Sequence, residues 1–153
     1  MGAEMSRPQG WESQLYDYIA RCKNKQFEWG QFDCCTFACD WAIILGKPDP
    51  MEKIRGKYKT AKGAARAIAR IIGKVSIEEV SEICDDKGNR FHRIPKQECG
   101  RGDVVLVSGI PYNEEGTGFD CSMGICLGPH CAVASETGIL YVNRKNILFG
   151  WDG

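Results

Sequence analysis

The sequence predicts an α+β domain, with helices in the first part of the chain and a small antiparallel sheet after them. Three observations support that class. Apolar residues recur at helical spacing between Trp11 and Leu45. From Val104 onward they gather into short runs separated by glycine-containing turns. The two patterns do not alternate, which argues against a repeated βαβ plan with a parallel sheet. The chain has 153 residues and no linker-like or low-complexity stretch. Residues 1–153 therefore read as one domain with one core, in which 1–8 form an N-terminal extension.

The elements follow in order. Trp11, Leu15, Tyr18, Ile19 and Cys22 share one helical face, so a first helix is expected over about residues 9–23, with Pro8 suited to its first turn. The polar run 23–26 ends it, and residues 27–32 form an aromatic loop around Gly30. Asp33 is a good N-cap for a second, largely buried helix marked by Phe37, Ala38, Trp41, Ile44 and Leu45. Gly46-Lys47-Pro48-Asp49-Pro50 stops that helix. Thr60 can cap a helix over 61–72, Ser76 and Glu79 have capping-box spacing for a short helix over 77–84, and 85–89 read as a loop. Strands are expected over 104–107, 122–127, 131–135 and 139–142, with 108–120 as a glycine-rich loop. Thr137-Gly138 reads as the hairpin turn between the last two, 143–146 as a further turn, and 147–149 as a short final strand.

Charge excludes some function classes. The 20 basic and 20 acidic residues cancel, so no overall field points to nucleic acid or to an anionic membrane. No apolar run is long enough to span a membrane, and the N-terminus lacks the apolar core of a signal peptide. Folding in a cytosol is the expectation.

Nine cysteines stand at 22, 34, 35, 39, 84, 99, 121, 126 and 131. An odd count without a secretory signal argues against a disulfide framework, and no C-x-x-C pair suggests structural zinc. Cys34, Cys35 and Cys39 with Cys121, Cys126 and Cys131 offer ligands for zinc or an iron–sulfur cluster. The competing reading is that most are small buried apolar residues in a reducing compartment, and no cofactor is the expectation.

The stretch Trp29-Gly30-Gln31-Phe32-Asp33-Cys34-Cys35 carries the chemistry. It places a cysteine just inside a helix start, where unpaired N–H groups and the helix dipole favour a thiolate. Downstream come Arg101-Gly102-Asp103-Val104-Val105 and Ser122-Met123-Gly124-Ile125-Cys126-Leu127-Gly128. In this order they resemble the NlpC-type branch of papain-like cell-wall peptidases, which has Asp-Cys at a helix start, Gly-Asp leading into a strand, and then a His-Val-Gly-Ile-Tyr-Leu-Gly strand. Phe27-x-Trp29-Gly30-x-x-Asp33-Cys34-Cys35, with Arg55-Gly56-Lys57-Tyr58-Lys59-Thr60-Ala61 and Gly63-Ala64, more closely resembles a family of phage and prophage proteins that accompany tail-tip genes. The likeness runs from about residue 11 to 150. It implies a papain-like fold, assembly in the host cytoplasm into the tail tip of a virion, other tail-tip proteins as partners, and peptidoglycan as the substrate class.

The resemblance also implies roles. Cys34 would be the nucleophile, forming a thioester with an amide substrate, and N–H groups at the helix start would help hold the oxyanion. A histidine at the head of the 122–127 strand would deprotonate Cys34, and a polar residue on the next strand would orient it. That histidine position holds Ser122, which cannot take a proton at neutral pH. The two histidines of the chain are His92 and His130. His130 is expected at the far end of the strand unless a sharp turn at Gly128-Pro129 returns it partway, and His92 falls in an irregular stretch. Each also reads as an ordinary surface or packing residue. Asp33 reads either as a helix cap or as a catalytic partner, Cys35 as packed inward, and Trp29 either as core or as part of a substrate groove.

Two functions are compatible with these residues. One is a structural tail-tip component on an inactive papain-like fold, favoured because Ser122 stands where a general base is required. The other is an active cysteine peptidase or amidase that cuts peptidoglycan stem peptides as the genome enters, with His130 or His92 recruited as base. A third reading, a zinc- or cluster-binding assembly factor, rests on cysteine number alone.

Overall fold

The first helix forms where the apolar stripe predicts it. α1 (Trp11–Cys22) buries Leu15, Tyr18, Ile19 and Cys22, the residues of one face. Pro8 stands before the helix rather than in its first turn, its carbonyl accepting the Trp11 N–H at 3.2 Å, and Gly10 caps the start. α2 (Cys34–Ile44) is buried around most of its circumference, because it lies against α1 and also against the sheet. The computed structural model of the chain describes residues 7–47, 49, 56, 58–60, 92–108, 121–135 and 138–152. The helices expected over 61–72 and 77–84, the loop over 85–89 and nearly all of the glycine-rich loop lie outside the described residues.

Six strands form one antiparallel sheet: β1 (His92–Pro95), β2 (Val104–Ser108), β3 (Cys121–Cys126), β4 (His130–Ser135), β5 (Gly138–Asn143) and β6 (Ile147–Asp152). Their spatial order is β1-β6-β2-β3-β4-β5. β2 to β5 run as a meander, and β6 then crosses back to pair with both β2 and β1. The class is therefore α+β, helices first, as the patterning indicates. Two strand expectations change. His92–Pro95, expected to be irregular, is an edge strand; it shows no period-two alternation, and a proline is tolerated at an edge. The final strand is longer than expected and interior, because Phe149 and Trp151 continue the alternation past Gly150. Gly138, expected in a hairpin turn, is the first residue of β5.

Both faces of the sheet carry buried residues. Val104, Ile125, Ala132, Ala134, Phe149 and Trp151 join the core built on α1 and α2. Their strand neighbours Val105, Val107, Cys126, Cys131 and Val133 point the other way and belong to a second buried cluster with Cys99 and Ile147. Burial on both sides explains why Val104-Val105-Leu106-Val107 is an unbroken apolar run rather than an alternating one. Cys34, Cys35, Cys39 and Tyr58 belong to the second cluster too, and Met123 packs against both.

The Gly102-Asp103 pair leading into β2 has a structural cause. Gly102 adopts φ 92°, and a Cβ there would lie 2.6 Å from the Trp11 ring. Its N–H donates to the Cys126 carbonyl at 2.8 Å, and its carbonyl accepts the indole N–H of Trp41 at 2.9 Å. Asp103 accepts the Gly100 N–H at 2.8 Å and pairs with Arg7, whose guanidinium lies over the Trp11 ring. The extension expected over 1–8 is thus tied to β2 at its residue 7. Gly102→Ala is expected to cost about 3 kcal/mol, combining a left-handed backbone with overpacking. Gly46→Ala, at φ 91° but with nothing within 4 Å of the new Cβ, should cost about 1 kcal/mol. Urea unfolding of the two variants checks the difference, and equal costs would contradict the packing argument.

Candidate active site

The site is organised by one carboxyl group. Asp33 is fully buried, and each of its oxygens accepts two hydrogen bonds. Oδ1 takes the backbone N–H groups of Cys35 at 2.9 Å and Thr36 at 3.0 Å. Oδ2 takes the Gly30 N–H at 2.8 Å and the Tyr58 hydroxyl at 2.6 Å. Thr36 Oγ1 in return accepts the Asp33 N–H at 2.7 Å, which completes a capping box with Thr in the third position. Burying a carboxyl requires this kind of donor shell. Gly30 permits it by its φ of 87° and by bringing its backbone close to Tyr58: a Cβ at Gly30 would lie 2.2 Å from the Tyr58 carbonyl oxygen.

Cys34 opens α2 and is 3% exposed. Its sulfur lies 4.0 Å from that of Cys35, which is packed inward as expected. The hydrogen bond with Cys34, together with burial, pushes the Cys35 thiol well above its ordinary value, so Cys35 is a neutral thiol. Burial likewise raises Tyr58, with Cys35 and Asp33 adding to the effect, so its hydroxyl keeps its proton and donates it to Asp33. The N–H groups of Cys35 and Thr36, expected to be available for an oxyanion, are bonded to Asp33 instead. The Asp33 carboxyl also stands at the positive end of the helix dipole, where it opposes the stabilisation a thiolate would draw from that dipole.

Ser122 lies on β3 opposite Val107, is buried, and donates to the carbonyl of Met123 at 3.1 Å. His130 begins β4 and is exposed; its carbonyl accepts the Leu127 N–H, so it sits beside the other end of β3. Five residues separate Ser122 from Leu127, about 16 Å along the strand. The turn at Gly128-Pro129 reverses the chain without returning His130 to Ser122. His92 lies on β1, three strand spacings from β3, about 14 Å away. Trp29 is half-buried, edge-on to Phe27 and against the cluster that holds Cys34, while Phe37 and Trp41 are core residues.

Among the described residues, one group gathers three possible ligand atoms: an Asp33 oxygen and the Cys34 and Cys35 sulfurs lie within 4.8 Å of one another. They do not fit a cation well. Both Asp33 oxygens already accept two hydrogen bonds each, so a metal there would displace the helix cap. Of the six cysteines, Cys34, Cys35 and Cys39 share one buried cluster with Cys126 and Cys131, which face each other across the β3–β4 hairpin, and the Cys121 side chain lies outside the described residues.

Tyr58 is the residue whose role sequence reasoning missed. Tyr58 of the Arg-Gly-x-Tyr-x-Thr segment bonds the same carboxyl oxygen as Gly30 of the Trp-Gly-x-x-Asp-Cys-Cys segment. Asp33→Asn should cost about 3 kcal/mol, since an amide nitrogen would face two donors, while Tyr58→Phe should cost about 1–2 kcal/mol. Denaturant titration of both variants and of the double variant checks the shared bond, which predicts that the two costs do not add. Tyr58 and the similarly raised Tyr18 are neutral when folded but ionise near about pH 10 when unfolded. The stability they supply is therefore present below that pH and lost above it, and Tyr58→Phe should flatten the alkaline loss seen in thermal melts.

Residues 6–152 match the model of a family described as a domain of unknown function (DUF6950). Comparison with curated proteins and with solved structures finds no match. Since the matched region spans nearly the whole chain, including the Asp33 cap, the Gly102-Asp103 turn and every strand of the sheet, the protein belongs to the DUF6950 family.

Proposed function

We propose that this protein is a structural component of a bacteriophage tail tip, built on an NlpC-like, papain-like scaffold that does not hydrolyse peptide bonds. The order of elements supports the scaffold: an Asp-Cys helix start packed on a later antiparallel sheet, with Gly-Asp leading into the strand next to β3. The sequence likeness to tail-tip-associated proteins supports the location and the partners, which are other tail-tip proteins. Assembly takes place in the host cytoplasm.

The observation that carries the non-hydrolytic reading is Ser122. In the likeness to NlpC-type peptidases it falls at the general-base position, and here it is buried and directs its hydroxyl to the neighbouring Met123 carbonyl. A serine hydroxyl does not accept a proton at neutral pH, so the thiol at the helix start lacks the partner that general-base catalysis requires at that position. Both histidines occupy other strands. Cys34 adds to the argument by its burial, since a nucleophile that attacks polymeric peptidoglycan must be reachable.

The test uses the phage that encodes the protein. Deleting the coding sequence should abolish infectious particles, and supplying either the natural chain or Cys34→Ala should restore them equally. Purified natural protein should release no stem peptides from crosslinked peptidoglycan. Release that disappears in Cys34→Ala, or failure of a folded Cys34→Ala chain to restore infectivity, would establish the rival reading: an active cysteine peptidase that opens the wall for the genome.

A further inference from the structure

A second thiol site lies at the opposite end of the strand from Ser122, and the tail-tip reading does not use it. Cys126 and Cys131 stand directly opposite each other in the β3–β4 ladder. The Cys126 N–H donates to Asp103 at 2.9 Å and its carbonyl accepts from Gly102 at 2.8 Å, so both of its backbone polar groups turn toward β2. Toward β4 the pair is therefore of the non-hydrogen-bonded kind, whose Cα atoms lie about 4.5 Å apart and whose side chains are the closer of the two cross-strand arrangements. That spacing falls within the range a disulfide spans. Neither cysteine is disulfide-bonded here.

The surroundings favour negative charge on one sulfur. Cys126 Sγ accepts the Gly128 N–H at 3.4 Å and has the Arg144 guanidinium at 4.0 Å. The same guanidinium donates to the carbonyls of Gly128 at 2.9 Å, Cys99 at 2.9 Å and Lys96 at 3.1 Å, which fixes it beneath the turn. The hydrogen bond from Cys131, then the Gly128 N–H and Arg144, bring the Cys126 thiol down to about 6, against the opposing effects of burial and of Asp103. Cys131 moves the other way and keeps its proton, mainly because its hydrogen bond serves Cys126. Cys99, the third thiol nearby, is pushed up to about 12, chiefly by burial, and turns its own S–H to the Pro95 carbonyl. A nucleophilic sulfur thus faces a protonated one, which is the arrangement of an attacking and a resolving thiol. Both cysteines are fully buried, and Pro129 and His130 of the turn that joins their strands are exposed.

We propose that Cys126 and Cys131 form a redox-sensitive dithiol that closes into a cross-strand disulfide when a hydroperoxide reaches it. The Cys126 thiolate attacks the peroxide O–O bond, giving a sulfenic acid, and the departing hydroxide takes a proton and leaves as water (as an alcohol from an organic peroxide). The Cys131 sulfur then attacks the sulfenic sulfur, its proton leaving with the hydroxyl as water. Two thiols and hydrogen peroxide thus become one disulfide and two waters. The bridge clamps the β3–β4 hairpin and removes the anionic sulfur that faces Arg144.

The experiment treats the reduced full chain with hydrogen peroxide, blocks remaining thiols with N-ethylmaleimide in denaturant, and maps tryptic peptides by mass spectrometry. Residues 102–144 form one tryptic peptide carrying Cys121, Cys126 and Cys131. It should carry maleimide on Cys121 and an internal bridge between Cys126 and Cys131, located by fragmentation. In Cys131→Ser, dimedone should instead trap a sulfenic acid on Cys126. The proposal is overturned if both cysteines still carry maleimide after exposure that fully oxidises free glutathione, or if Cys126 bridges to a different cysteine. The mapping of the natural chain stands even where Cys131→Ser does not fold.

Discussion

The buried carboxyl of Asp33 is the constraint on which the N-terminal half of the site depends. Four donors from three separate segments converge on it: the Gly30 turn, the first turn of α2, and Tyr58. A buried carboxyl without such a shell would be strongly unfavourable, so the three segments hold one another in place. The requirement explains several sequence features together. Gly30 must lack a side chain because Tyr58 lies against it, Asp33 must end in a carboxyl, and Thr36 must reciprocate the cap. Residues that read as an approach to a nucleophile are, in this arrangement, the parts of a helix cap.

The two thiol sites show how local electrostatics separates cysteines of similar burial. At the start of α2, the neighbours are a carboxyl and another thiol, and Cys35 is driven toward its neutral form. Under the β3–β4 turn, the neighbours are a guanidinium and a backbone N–H, and Cys126 is driven toward the thiolate. The helix dipole at α2 works in favour of anionic sulfur, but Asp33 sits closer to that end and takes the two N–H groups that would express it. The surroundings thus favour the anionic form of the sulfur beside Arg144 and oppose it at Cys35 of the more conspicuous Asp-Cys-Cys motif.

Much of the fold was legible because its elements have clean periods. Leu15, Tyr18, Ile19 and Cys22 mark α1 by spacing, and Asp33 marks the start of α2 by its residue type. β2 to β5 stand out through short apolar runs and turns. β1 was not legible, since His-Arg-Ile-Pro owes its strand conformation to pairing with β6 and not to any preference of its own. The place of β6 in the sheet was equally hidden, because strand order reflects long-range pairing that no local pattern encodes. Cys34, Cys35 and Ser122 were singled out from their motifs. The bond of Tyr58 to Asp33 joins residues 25 apart in the chain, and the Cys126–Cys131 facing depends on register across a turn, so neither could be read before the fold was known.

The central proposal is that Cys34, packed beside the Asp33 cap at the start of α2, is not a poised nucleophile. The most direct measurement is the rate of iodoacetamide modification of Cys34 in the folded natural chain near neutral pH, read by peptide mapping and compared with the same residue in denaturant. The account predicts strong protection in the folded protein and rapid modification only on unfolding, as burial within the cluster around Tyr58 requires. Modification of folded Cys34 faster than that of an ordinary exposed thiol, already below neutral pH, would contradict it and identify an activated thiolate.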